Sequence, residues 1–296
     1  MLVLPIAAAL AASMGWAAGI VLAERPAKRL GAFEFTRIQL IACSAGLAVL
    51  TTAFGYWASV DWSYWPSFAV SITVGILLGN LAMIECLRRG GPRRTELLLS
   101  MKAPLVGLVA FVWLGEVPLV TDVLGAIIVL VGVSIAILYG GNRRSRSDTV
   151  SGNPAVVVVL GLSAATFQGI GFLIMKPAML EGLEPLAASA IRLLGAAFLI
   201  SLLALWPTGR FKPQAEVTPI LLGRTVLPGF IGYVLSSSLL LYAFANYDAG
   251  IVAVLGSLSP VLVLPILWVK EGIRPRPMAV GGAALAVVGT TVIAVL

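Results

Sequence analysis

The chain has 296 residues, of which 59% are hydrophobic and 11% charged, and its formal net charge is +7. Soluble domains carry roughly 25% charged residues and under half apolar ones, so a water-soluble fold of this length is excluded and lipid must solvate much of the surface. Two cysteines, Cys43 and Cys86, lie apart in apolar runs, and histidine is absent. That pattern leaves no metal cluster or disulfide framework and no ready proton shuttle for hydrolysis, so no metal and no cofactor are expected and the chain reads as a non-enzyme.

Apolar runs occur at residues 2–23, 35–56, 67–87, 95–113 and 119–139, then at 154–175, 185–206, 224–245, 250–269 and 277–296. Each is near the ~20 residues that cross a hydrocarbon core as a helix. The first run has no basic residue before it and is too long for a signal-peptide core, so it reads as a retained helix. The runs are continuous rather than alternating, which excludes a membrane β-barrel. Residues 140–153 are rich in glycine, serine, asparagine and arginine and read as a polar linker. The expected architecture is an all-α membrane protein of ten transmembrane helices, divided into residues 1–139, the linker 140–153, and residues 154–296.

Ten spans place successive connections on alternate faces. One face then receives sixteen basic residues, among them Arg25, Arg88, Arg89, Arg93, Arg94, Arg143, Arg144 and Lys270, and the other receives Lys176 alone. By the positive-inside rule the linker is cytoplasmic and both termini lie outside, in a bacterial-type inner membrane. The positive charge is thus a topological signal, and no nucleic-acid partner is implied. Tyr56, Trp57, Trp62, Tyr64 and Trp65 mark the outer face as an interfacial aromatic belt.

Landmarks recur in order across the linker. Arg25-Pro26-Ala27 closes the first span and Lys176-Pro177-Ala178 the sixth; Arg37 and Arg192 lie in the second and seventh. Pro104 and Trp113 in the fourth match Pro260 and Trp268 in the ninth, while Gly125 and Gly132 in the fifth share the spacing of Gly282 and Gly289 in the tenth. With five spans per copy, the second copy is inverted relative to the first. Inverted repeats build alternating access around a site near mid-membrane.

These residues, with the Tyr242 to Pro260 segment and the Trp268-Val269-Lys270-Glu271 ending, resemble the drug/metabolite transporter superfamily, specifically its ten-helix EamA-type transporters. The resemblance covers nearly the whole chain. Residues 86–96 are more basic and polar than their counterpart in the second half, and the charge count puts both termini outside where many relatives keep them in the cytoplasm.

A charge deep in a bilayer costs ~2.5–3.5 kcal/mol on insertion scales and marks a functional position. Lys102 and Arg192 lie well inside their spans and are expected to attract a substrate carboxylate or phosphate; the plainer alternative is a structural pin. Gln168 and Asn80 could orient a polar solute or simply bond between helices. Trp16 and its counterpart Phe167, with Tyr233 or Tyr242, could line a cavity for apolar or cationic groups; aromatics inside spans more often pack. Glu85, Glu96 and Arg37 lie toward the basic face as gating or proton-coupling candidates; the plainer readings are an interfacial ion-pair network for the two glutamates and a stem that reaches the interface for Arg37. Glu116 and Glu271 read as helix caps. No Walker A motif is present. The expected activity is secondary transport, by export or exchange, of a small organic metabolite such as an amino acid or organic anion. The alternatives are transport of aromatic or cationic drug-like compounds, and a lipid-handling protein. Expected partners are a small-molecule substrate and membrane lipids; two halves in one chain make a working monomer feasible, and a dimer is compatible.

Overall fold

The computed structural model describes residues 3–140, 153–206, 214–272 and 274–295. The expected linker, with Arg143, Arg144 and Arg146, lies outside the described residues except at its two ends. All regular structure among the described residues is helical. Helices α1 (Val3–Leu30) and α2 (Ala32–Ala53) meet at Gly31, whose φ of 84° suits glycine alone. The first helix runs on through Pro26 instead of closing at Arg25-Pro26-Ala27. Ala23, Ala27 and Leu30 continue its buried stripe, and that packing outweighs the one hydrogen bond the proline removes.

Two short 3-10 turns lead into α3 (Trp65–Val70), a π-helical stretch Ser71–Leu78, and α4 (Gly79–Ser100). The chain turns inside α4 at Gly91 (φ 77°, ψ 172°) followed by Pro92, so the third and fourth expected spans are joined without a loop. After α5 (Lys102–Val109) and π-helical Ala110–Leu114 comes α6 (Val120–Gly140). The second part comprises α7 (Pro154–Leu173), α8 (Lys176–Leu180), α9 (Pro185–Ala204), α10 (Pro219–Gly229), π-helical Phe230–Ser236, α11 (Ser237–Asn246), α12 (Ala249–Gly256), α13 (Ser259–Glu271) and α14 (Pro277–Val295). Asn153 opens it, its Oδ1 accepting the Ala155 N–H at 2.9 Å as an N-cap. By length and composition, seven helical tracts among the described residues are long and apolar enough to cross a membrane, one of them the 53-residue tract Trp62–Leu114; Val120–Ala136 and Pro277–Val292 are shorter apolar helices. The chain is a multi-pass helical membrane protein.

Small residues set how the helices cross. Along α6 and α14, a Cβ on Gly132 would fall on the backbone of Gly282 and Ala286, and one on Gly289 would fall on the backbone of Gly125 and Val129. Gly125 thus lies at Gly289 and Gly132 at Gly282, so the two helices run antiparallel. Elsewhere α2 lies along α9, and α5 against α12. The first helix packs on α10, the following π-helical stretch and α11, while α7 packs on α4 and the Ser71–Leu78 stretch. In that second crossing Gly75 and Gly171 approach so closely that neither has room for a side chain.

The two ends of the bundle are tied differently. At the basic end Glu24 accepts from Lys28 at 3.0 Å and lies 3.6 Å from Lys270, whose ammonium donates to the Val21 carbonyl at 2.9 Å. At the aromatic end Lys176 pairs with Glu116 and donates to the Tyr247 carbonyl at 2.8 Å. Glu116 caps α12 by accepting the Ala249 N–H at 2.7 Å. It therefore fastens the start of a helix far along the chain, beyond the linker, not the next helix in sequence.

Candidate functional site

The fourth and ninth expected spans are both interrupted. The helix breaks at Met101, between α4 and α5, and at Ser257 and Leu258, between α12 and α13. Met101 and Ser257 each lie three residues before a proline, Pro104 and Pro260, and the two breaks abut: the Ser257 hydroxyl reaches toward the Ser100 carbonyl at 3.5 Å. Broken helices bring polar backbone and side chains to the middle of a bundle, where a solute can meet them. A cavity of about 90 Å³ lies beside the breaks.

Two cations enter this cavity. Lys102 is the first residue of α5, directly after the break, and is 8% exposed. Among the described residues it has no ion-pair partner; its ammonium lies 4.9 Å from the Trp16 ring centre and 5.7 Å from that of Phe172. Arg192, on α9, is fully buried and lies over the same Phe172 ring at 4.3 Å. Its Nε donates to Ser71 Oγ at 2.8 Å, and that hydroxyl donates to the Gly171 carbonyl at 2.6 Å. The close Gly75 and Gly171 crossing makes this relay short enough to form. Cation–π contact offsets part of the burial cost, yet both terminal nitrogens of Arg192 lack a hydrogen-bond partner among the described residues.

Further donors line the cavity in the same condition. Tyr233 Oη and Ser237 Oγ are buried without partners, and so is Asn80 Nδ2, while Asn80 Oδ1 accepts from Gln168 Nε2 at 3.2 Å. Buried polar groups are normally satisfied, so several free donors around one cavity mark a place for an acceptor-rich ligand. Opposite in charge is Glu96, 3% exposed, which accepts a hydrogen bond from Ser259 at the start of α13. The remaining wall is apolar, formed by residues such as Ile20, Ile76, Met83, Ile84 and Leu87.

Lys102, Arg192, Gln168, Asn80, Trp16, Tyr233 and Glu96 therefore line one cavity. Tyr242 does not; it lines a separate lateral cleft with Phe54, Phe230 and Leu235. Tyr233 sits within the π-helical stretch and Tyr242 on α11 beyond it, and the two rings face different cavities. Glu85 lies away from the cavity, accepting from Arg88 and, at 2.6 Å, from Arg89. Arg37 is likewise outside, bonded to Glu34 one turn away at 2.7 and 2.8 Å. Phe172, not Phe167, is the aromatic that α7 presents to the cavity. Phe172 and Ser259 escaped the sequence reading. A signal for Phe172 existed in the need of two buried cations for a shared aromatic face.

The model of the EamA-like transporter family matches the sequence over residues 3–138 and 155–295. A protein of Streptantibioticus cattleyicolor described as a probable terminal-alkyne amino-acid exporter is 31% identical over 207 residues, covering 68% of this chain. The matched region spans 64% of that relative's length. A solved structure described only as the crystal structure of a protein superposes with a TM-score of 0.78 over 97% of this chain and 95% of its own, at 18% identity. That likeness is one of fold alone.

Proposed function

Since the chain belongs to the EamA-like transporter family, we propose that it is a secondary transporter that exports or exchanges a small zwitterionic metabolite of the amino-acid class. The observation that carries this reading is the cavity's set of unpartnered donors around Lys102 and Arg192, with Glu96 in the same lining. A carboxylate fits between the cations, because guanidinium and ammonium bonds to it are charge-assisted. An ammonium fits Glu96, and an apolar side chain fits the aliphatic wall. The name of the Streptantibioticus cattleyicolor relative, a probable amino-acid exporter, points to the same class.

Transport proceeds by alternating access between two inverted five-span halves. The antiparallel contact of Gly125 with Gly289 and of Gly132 with Gly282 supports this, since each pair maps onto the other when the halves are exchanged. So does the family model's division into two segments on either side of residues 139–154. The basic end faces the cytoplasm, and the ion pairs of Glu24 and Glu116 close opposite ends of the path.

The test is counterflow of labelled leucine in liposomes holding the purified chain. A hydrogen bond to a charged group is worth about 1.5–3 kcal/mol, a factor of roughly ten to a hundred. Lys102→Met, which keeps the side chain's length and shape, is expected to lower counterflow at least tenfold. A Lys102→Met protein exchanging leucine at the wild-type rate would remove the reading.

A further inference from the structure

Among the described residues, Glu96 is the one carboxylate that lines the central cavity. It sits on the limb of α4 that follows the Gly91 turn, with Ser259 of α13 donating to it and Lys102 of α5 the charge whose field reaches it. Apart from Lys102, the other ionisable groups on the elements packed against α4 do not line the cavity. Glu24 of α1 holds Lys28 and Lys270 of α13; Glu34 and Arg37 of α2 hold each other. Asp122 of α6 accepts the Leu119 N–H, and Tyr139 of the same helix is exposed. The seventh helix and the Ser71–Leu78 stretch carry no ionisable residue. On α4 itself Glu85 holds Arg88 and Arg89, Cys86 bonds the Val157 carbonyl, and Arg93 and Arg94 lie next to the Gly91 turn.

A carboxylate this deep, with no ion-pair partner among the described residues, is costly to leave bare. It has two natural occupants, an ammonium group from the substrate or a proton. We propose that Glu96 binds these in alternation and is the coupling carboxylate of a substrate–proton antiport cycle. This deepens the reading of the same cavity as an amino-acid site and rests on it.

The cycle balances simply. When the substrate's ammonium leaves, one proton from the receiving side adds to a Glu96 oxygen and gives the neutral acid. The protein returns in that form. Glu96 then releases the proton on the loading side, and the next ammonium takes its place. One substrate crosses in one direction for one proton in the other; no covalent bond of the substrate changes and nothing is oxidised.

The experiment uses the full chain in liposomes preloaded with leucine and the pH-sensitive dye pyranine. With the wild type, leucine efflux acidifies the lumen by one proton per leucine, and an imposed gradient of one pH unit supports a leucine gradient of up to about tenfold. Glu96→Gln is expected to lower leucine flux at least tenfold and to strip the remainder of its proton movement. Glu96→Asp retains the acidification, and so does Glu85→Gln, which lies off the cavity. Wild-type net efflux of leucine with a silent lumen would overturn the coupling role while leaving the transport reading intact. Acidification that survives in Glu96→Gln would overturn it equally, and absence of any wild-type leucine flux would sink the reading and the inference together. If Glu96→Gln carries no leucine at all, the pH profile of Glu96→Asp decides, since an unshifted midpoint also overturns the proposal.

Discussion

Arg192 illustrates how the donors of a single buried side chain are divided between engaged and unpartnered. Its Nε is committed to Ser71, while Nη1 and Nη2 remain without partners. A guanidinium serves both ends because its donors form a rigid fork, which an ammonium lacks. Arg192→Lys is therefore expected to keep the fold but raise the KM for leucine about tenfold or more, since one charge-assisted bond is lost; a KM unchanged in transport assays would assign Arg192 to packing alone. Asp248, in the turn before α12, offers a test at the opposite end of the bundle. Burial pushes its carboxyl above the ordinary range, the Ile251 N–H opposes this, and the nearby charge of Glu116 reinforces it. Because the folded value lies above the unfolded one, the native state binds more protons in the interval just above the ordinary carboxylate range, and stability falls as pH rises through it. Melting curves across that interval should show a steeper decline for the wild type than for Asp248→Asn; identical slopes would contradict the assignment.

At the scale of the helix, the crossing of α6 and α14 is built on absent side chains. A leucine at Gly132 would have to occupy the backbone positions of Gly282 and Ala286. Overpacking costs of about 1–3 kcal/mol are ordinary even where neighbours are side chains that can move. Gly132→Leu is expected to lower the melting temperature in detergent by several degrees, whereas leucine at Gly281, with open space around it, leaves it unchanged; equal effects would mean that the crossing is not close. The apolar runs made the helices legible, because no other structure hides so many consecutive apolar residues in lipid. Lys102 and Arg192 were legible for the converse reason, being charges in such runs. The breaks at Met101 and at Ser257 and Leu258 were signalled only indirectly, by Pro104 and Pro260, each of which lacks the N–H that the carbonyl four residues back would accept. The π-helical stretches, which shift the phase of everything beyond them, were not legible. Phe167 and Phe172 differ by five residues, about 140° around a helix. Their linear correspondence with Trp16 could not decide which faces inward.

At the scale of the molecule, helices before the linker pack on helices after it: α6 on α14, α2 on α9, α5 on α12. The cavity draws its charges from both sides of the linker, Lys102 and Glu96 from before it and Arg192 from after it. Neither segment holds the donor set alone. Ion pairs at both ends, Glu24 with Lys270 and Glu116 with Lys176, also join the two segments. All of this rests on the two cations gripping a carboxylate. Competition against labelled leucine counterflow by leucine and by leucinamide, which keeps the ammonium and side chain but lacks the carboxylate, tests that grip directly. Leucinamide is expected to compete at least tenfold more weakly with the wild type, and the difference should collapse in Lys102→Met; an amide that competes as well as the acid would contradict it.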